Sequence, residues 1–193
     1  MQPGLLKQFK TKLQNTKSYR RRSIMTSQSL KKITFKLNQD MEDYPPLEFE
    51  SLWGIQIKPH TYKVDNIPYY IYGVSKGDII LAIESNKQIQ ASYLLYRGGH
   101  STLRVFAENK SDRIKIINYT KKNGAQCTSQ KGSSLLAIDI PPSIDFHKID
   151  AFLSNQSDNK TIAYEDACLQ HTISDINRIN ECYSLSTIPI WTN

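Results

Sequence analysis

Short segments of alternating polar and apolar residues dominate the chain from about residue 30 to residue 97. Residues 32–37 alternate in this way, which is typical of a half-buried strand. The same criterion predicts further strands over residues 49–57, 61–64, 78–84 and 88–96. Prolines and glycines separate these segments, and no helical period intervenes. We therefore predict a small curled antiparallel sheet or partial barrel.

The periodicity changes after Gly98 and Gly99. Strands are predicted over residues 102–106, 134–140 and 161–169, separated by helices from residue 111 or 112 to 123 and over 145–153. This order of elements predicts an α+β layer of the split βαβ, ferredoxin-like kind. A last short helix is expected where Ile173, Ile176 and Ile179 nearly align.

The predicted elements divide the chain into four parts. These are a basic, flexible N-terminal arm, a β-rich half, a ferredoxin-like α+β half and a C-terminal extension, over residues 1–28, 29–98, 99–171 and 172–193.

One face of the second predicted strand carries Phe49, Trp53 and Ile55. Large apolar side chains that share a strand face are more often core than binding surface, so we expect Trp53 to be buried. Cys127 and Cys168 are expected to be buried as small hydrophobic residues. The odd count of three cysteines, without a CxxC pair, fits a reducing cytoplasm better than a disulfide framework.

The net charge of +7 is unevenly distributed. The first 36 residues carry ten Lys or Arg and no acid, so the remainder, with fifteen basic and eighteen acidic residues, has a charge of −3. The basic segment is an extension without a folded role, an arm that meets nucleic acid or anionic lipid, or a targeting segment. Met25 is a possible alternative start, and a chain that began there would be neutral.

Several function classes find little support in the sequence. No run approaches the roughly 18 apolar residues that a membrane span requires, so the body is expected to be soluble. The four histidines show no HxH or HExxH spacing, and no G-x-S-x-G motif occurs. We predict no catalytic residues, no metal and no cofactor, and we expect a protein that is not an enzyme.

The best candidate for a polar site is the turn formed by Gly98, Gly99, His100, Ser101, Thr102 and Arg104. Two glycines allow backbone amides to approach a ligand, and the side chains add an imidazole, two hydroxyls and a guanidinium, so phosphate binding is conceivable. The other interpretation, which we favour, is a structural glycine turn with Arg104 paired to a carboxylate such as Asp78 or Asp139. The tyrosines Tyr69, Tyr70 and Tyr72 form an aromatic cluster that is either structural or a stacking surface.

The chain resembles a family of short bacterial proteins that is known only as a domain of unknown function. The resemblance covers roughly residues 30–171 and rests on the boxes ESLWG (50–54), YKVDNIPYY (62–70), YGVSKGDII (72–80), GGHSTLRV (98–105), AIDIP (137–141) and YEDAC (164–168). It implies a bacterial cytoplasmic protein with an α+β fold and brings no catalytic residues. His100 departs from the family pattern, where Asn is expected.

Two functions from different classes remain open. The first is a protein-binding module, within it an immunity or antitoxin protein that masks a basic toxin domain by complementary charge. The acidic residues available for this are Asp40, Glu42, Asp43, Glu48, Glu50, Asp158, Glu165, Asp166 and Asp175. The second is a regulator that binds nucleic acid or a phosphate ligand through the Gly98–Arg104 turn and the basic arm. Nucleic-acid contacts are expected only from the arm.

Overall fold

The computed structural model describes residues 29–39, 44–186 and 188–190. The predicted basic arm and the candidate residues Asp40, Glu42 and Asp43 lie outside the described residues.

The first five strands form a small barrel. They are β1 (Leu30–Lys36), β2 (Phe49–Lys58), β3 (Thr61–Val64), β4 (Ile79–Ser85) and β5 (Gln88–Tyr96). Each pairs antiparallel with the next along the chain, and β1 pairs in parallel with β5 to close the sheet. Because side chains alternate across a strand, Ile33 and Phe35 point inward while Lys32 and Lys36 point outward. The predicted curled sheet is confirmed.

Trp53 lies on the outer surface of this barrel, with 51% of its surface exposed, so the prediction that it is a core residue was wrong. The inward positions of β2 are Leu52 and Gly54, both buried, whereas Phe49 and Trp53 point outward. The more apolar face of β2, with Phe49, Trp53 and Ile57, is the one that faces solvent, whereas Leu52 is the one large apolar residue of the inward face. Alternation identifies a strand but cannot select its buried face in such a case.

The second half of the chain forms a four-stranded antiparallel sheet with two crossover helices. The elements are β6 (Ser101–Ala107), α1 (Lys110–Lys122), β7 (Gln126–Ser129), β8 (Leu135–Ile140), α2 (Phe146–Gln156) and β9 (Ile162–Cys168). The strand order β7-β8-β6-β9 places each βαβ crossover around one intervening strand. This is the predicted ferredoxin-like arrangement, and the α+β class is confirmed.

Strand β7 was not predicted from the sequence. It has four residues, of which only Cys127 is buried, and it pairs with β8 at an edge of the sheet. A short and mostly polar edge strand has no apolar alternation to identify it.

Two apolar clusters fill the interior. One lies inside the barrel around Phe35, Leu52 and Ile80, and the other lies between the sheet and its helices around Val105, Ile138 and Leu153. A third helix, α3 (Ile176–Ser184), packs on β9. After it the chain returns to the barrel, where Ile188 joins the barrel core and the Leu94 amide donates to the Pro189 carbonyl.

All three cysteines are buried and free, as expected for Cys127 and Cys168. Burial raises the pKa of Cys127 to about 11 and that of Cys182 to about 12. The thiols are therefore protonated near neutral pH, and a thiolate nucleophile is disfavoured at these positions.

The different burial of two aromatic residues gives a direct test of the barrel orientation. We expect Phe35→Ala to lower the free energy of unfolding by about 3–5 kcal/mol, because the side chain is fully buried. Trp53→Ala should cost less than about 1 kcal/mol, as an exposed position does. Urea unfolding of both variants measures this, and a larger loss for Trp53→Ala than for Phe35→Ala would contradict the orientation.

Candidate functional site

A buried carboxylate joins the two halves of the chain. Asp78, at the start of β4, is fully buried, and its oxygens accept from the Gly98 amide (2.7 Å), the Ser75 amide (2.9 Å) and the Gln170 side chain (2.8 and 3.0 Å). These donors come from the segment between the halves, from a barrel loop and from the segment after β9. Burial raises the pKa of Asp78, and its hydrogen bonds oppose the increase.

The polar groups of the Gly98–Arg104 turn are used inside the protein. The Gly98 amide donates to Asp78, and the Gly99 amide donates to Gln170 Oε1 (2.7 Å). Gly98 also packs so closely on Gly77 that a Cβ atom would lie 2.4 Å from the Gly77 carbonyl carbon. The two glycines therefore serve chain packing, and their amides are not available to a phosphate.

The hydroxyls of this turn are also engaged. Ser101 Oγ accepts from the amides of Gln170 (2.8 Å) and His171 (3.1 Å) and lies 2.8 Å from His171 Nδ1. Thr102 Oγ1 lies 2.8 Å from Ser75 Oγ in the contact between sheet and barrel. Ser101 and Thr102 are fully buried, so these hydroxyls have a structural role.

His100 pairs with a buried carboxylate. Its Nδ1 atom lies 2.8 Å from Oδ1 of Asp139, which is fully buried on β8, whereas 21% of the His100 side chain is exposed. Burial raises the pKa of Asp139, and the hydrogen bond and charge of His100 oppose the increase. Oδ2 of Asp139 has no hydrogen-bond partner in the described part of the chain.

Arg104 pairs with a carboxylate, as predicted, but the partner is Glu165 and neither Asp78 nor Asp139. The guanidinium donates to the Ile71 carbonyl (2.6 Å) and to Glu165 Oε1 (3.1 Å), and it packs 4.1 Å from the centroid of the Tyr72 ring. Glu165 stands directly opposite Arg104 in the β6–β9 pair, which brings the two charges together. The Tyr72 hydroxyl donates to the second Glu165 oxygen (2.9 Å).

A cleft of about 680 Å³ opens beside this ion pair. Its sheet side includes Phe106 and its cross-strand neighbours Leu135 and Ala163, on the face of the sheet opposite to the helices. Its barrel side is formed by Tyr44, Pro46 and Tyr70, while Arg104 and Glu165 also line it. This volume lies within the range of small-molecule and side-chain pockets.

The predicted acidic patch is largely committed to the fold. Glu50 accepts from the amides of Tyr69, Tyr70 and Ile71 at 2.7–3.0 Å. Burial raises the pKa of Glu50, and these hydrogen bonds oppose the increase. Asp158 fixes the turn before β9 through the amides of residues 160–162. Asp175 accepts from the Asn177 amide at the start of α3, and Asp166 binds Arg178. Glu48 is exposed.

Arg178 on α3 forms a second polar centre that the sequence did not indicate. It donates to both oxygens of Asp150 on α2 (2.8 and 2.9 Å) and to both oxygens of Asp166 on β9 (2.7 and 2.9 Å). Burial would raise the pKa of Asp150, but the hydrogen bonds and charge of Arg178 outweigh it and lower this pKa. Three elements are thereby held together by one guanidinium.

Within the described residues, no cluster of three or more His, Cys, Asp or Glu side chains could hold a metal ion. No helix in this part of the chain is long and apolar enough to cross a membrane.

The sheet order and the barrel define an α+β protein with a ferredoxin-like half, and comparison with known proteins assigns its family. The chain belongs to the family described as Domain of unknown function (DUF4265), whose model matches residues 50–164, from β2 into β9. No curated protein matches this chain.

One solved structure is similar to this chain. It is a hypothetical protein from Neisseria gonorrhoeae, with a TM-score of 0.61 and 18% sequence identity. The match covers 75% of this chain and 98% of that chain. At this identity the similarity supports the fold alone.

The Asp78 junction predicts a large effect of one substitution. Asp78→Ala leaves the Ser75 and Gly98 amides and the Gln170 side chain without their acceptor, so we expect a loss of about 3 kcal/mol or more in the free energy of unfolding. Asp65→Ala, at an exposed carboxylate, is the matched control and should change stability little. Urea unfolding measures both, and equal losses would contradict a special role for Asp78.

The lowered pKa of Asp150 predicts a pH dependence of stability. Its pKa is lower in the folded than in the unfolded chain, so its contribution is present above about pH 4 and is lost as the pH falls through the folded value. Asp150→Asn should therefore be less stable than the unmodified protein at pH 7, by about 1 kcal/mol or more, with a smaller difference in acid.

Urea unfolding at a series of pH values from neutral to acid measures this difference. The buried carboxylates with raised pKa values, Asp78, Asp139 and Glu50, are present in both proteins, so their titration cancels. A difference in stability that stays constant down to about pH 2 would contradict the role assigned to Asp150.

Proposed function

We propose that this chain is a non-catalytic protein-binding module and, within that class, an immunity protein that neutralises a cognate toxin by masking its active surface. The observation that carries the proposal is the cleft between barrel and sheet. Its walls are aromatic and aliphatic, with Phe106 on the sheet and Tyr44 and Tyr70 on the barrel side. Binding hot spots are apolar or aromatic side chains held in pockets of this kind.

The electrostatics of the cleft favour an apolar partner group over an ion. The charge of Arg104 is balanced by Glu165, which lies 3.1 Å away, and Tyr72 donates to the same carboxylate. Glu50 adds a second carboxylate near this guanidinium. An anionic ligand would therefore meet little net positive charge there, whereas an apolar side chain would gain from the aromatic walls.

The reactive side chains near the junction of the two halves support binding over catalysis. Ser101 and Cys168 are both fully buried, and burial raises the pKa of the Cys168 thiol. Neither side chain is therefore accessible to a substrate as a nucleophile. A partner protein can be masked by surface alone, so this task needs no activated nucleophile or base.

The way in which a toxin would be recognised differs from the sequence-based expectation. That expectation relied on an acidic patch, but Glu50, Asp166 and Asp175 are committed to intramolecular bonds. We therefore place the main partner contacts in the cleft and assign exposed acids such as Glu48 to its periphery. The alternative phosphate site at the Gly98–Arg104 turn has less support, because its amides and hydroxyls are occupied.

The test uses the product of the adjacent gene as the candidate toxin. Calorimetry should show tight binding of the full chain, and coexpression should restore growth that the toxin suppresses. Phe106→Ala should weaken binding about thirtyfold, as a hot-spot truncation of about 2 kcal/mol does. Phe106 is 43% exposed in the cleft, so this substitution should leave folding nearly unchanged.

Ile114→Ala is the matched control, because Ile114 is a similarly exposed apolar residue on α1, away from the cleft. It should bind as the unmodified chain does. Equal effects of the two substitutions would contradict the cleft as the binding site. Failure of the unmodified chain to bind the adjacent gene product or to restore growth would contradict the immunity role.

A further inference from the structure

The outer face of the β1–β2 pair carries two lysines directly opposite aromatic side chains, with a pair of hydroxyl side chains between them. In this antiparallel register Lys32 faces Trp53, Thr34 faces Ser51 and Lys36 faces Phe49. Trp53 and Phe49 are 51% and 48% exposed, and both lysines are exposed. The aromatic residues are four positions apart on one strand, which separates them by about 13 Å.

A groove of about 430 Å³ runs beside these β1–β2 side chains toward β5. It is lined by Lys32, Thr34, Phe49, Ser51, Lys87, Gln88 and Ile89, a set that contains two lysines and no carboxylate. Lys87 is held there by a two-residue turn in which Asn86 and Lys87 both have positive φ angles, of 52° and 63°. Such a turn fits the twist of the strands it connects.

In the described part of the chain, the acidic residues nearest this surface are Glu48, Asp65 and Glu84, the last of which stands opposite Ile89 in the β4–β5 pair. Glu48 precedes Phe49 in the chain, and Asp65 is bonded through its amide to the Trp53 carbonyl. Strand β1 begins at Leu30, directly after a segment that carries seven Lys or Arg and no acid over residues 1–28. The charge of the groove is therefore continuous in sequence with the most basic part of the chain.

We propose that this face, defined by Lys32, Lys36, Phe49, Trp53 and Lys87, binds single-stranded nucleic acid. The lysines would contact phosphates, and the bases would stack on Trp53 and Phe49. Positively charged grooves with exposed aromatic rings are the common means by which proteins bind unpaired strands. A duplex would leave these rings without a partner, because its bases are stacked on each other.

This surface is distinct from the cleft of the proposed function. None of its five residues lines that cleft, and none of the bonds at the Asp78 junction involves them. Sequence reasoning restricted nucleic-acid contacts to the basic arm because residues 37–193 have a net charge of −3, and it separately placed Trp53 in the core. The orientation of β2 adds two stacking residues, and the β4–β5 turn adds Lys87 from outside the arm.

The test measures binding of the full chain to labelled oligothymidylate of about 16 nucleotides, a length suited to one small barrel. We expect salt-dependent binding that Trp53→Ala weakens about tenfold or more, while Trp53→Phe retains most of it. Tyr96→Ala is the aromatic control, because Tyr96 is 70% exposed on β5 outside the groove, and it should have no effect.

A second comparison separates the groove from the arm. The triple variant Lys32→Gln, Lys36→Gln, Lys87→Gln should reduce the slope of log Kd against log salt by about 2, since each phosphate contact on a single strand contributes about 0.7. The control triple Lys110→Gln, Lys122→Gln, Lys160→Gln removes the same charge from exposed lysines of the other half and should change the slope little. Thermal melts should show that all variants fold.

Four outcomes would overturn the proposal. They are no binding of oligothymidylate, equal slopes for the two triple variants, unchanged affinity in Trp53→Ala, or tighter binding of a duplex of the same length. Equal competition by inorganic polyphosphate, together with unchanged affinity in Trp53→Ala, would indicate attraction of any polyanion by the arm. Phe106→Ala should leave oligothymidylate binding intact, so this test and that of the proposed function fail independently.

Discussion

The structure depends on the desolvated carboxylate of Asp78. A buried carboxylate is costly unless its oxygens are well bonded, and Asp78 accepts from Ser75, Gly98 and Gln170. Ser75 and Gly98 belong to the barrel half, whereas Gln170 follows β9, so the full set of donors forms only when both halves are folded. The cost of burying one charge is therefore offset in full only in the assembled protein, which fixes the halves in one relative position.

That position determines how the second sheet is covered. Residues 71–75 of the barrel half lie on the helix-free face of the sheet, where Ile71 meets Arg104, Ser75 meets Thr102, and the Gly73 amide donates to the Ala167 carbonyl. Residues 71–75 do not extend over the cross-strand neighbours Leu135, Phe106 and Ala163. The cleft is the part of the sheet face that the barrel leaves open, so its shape follows from the same contacts that join the halves.

The sequence predicted most of the strands and helices and little of the candidate site. Alternation located β1 because this strand has one polar and one apolar face, whereas β7 is short and polar. Trp53 was assigned to the core because the face of β2 that carries it is the more apolar one, although that face meets solvent. The partner of Arg104 depends on the β6–β9 register, which joins residues 61 positions apart and has no local signal. Acids such as Glu50 were read as surface charge because their amide donors lie about 20 residues away.

The return of Ile188 to the barrel core has a consequence for how the chain reaches its final state. The barrel strands occupy residues 30–96, yet their core includes a residue that follows the whole second sheet and its helices. During synthesis the strands emerge first, with a gap in their interior until residue 188 is available. Contacts of such long sequence separation slow folding, because a large loop must close before they form. Completion of the barrel is therefore coupled to the docking of the last helix, and the part of the chain made first is among the last to become fully packed.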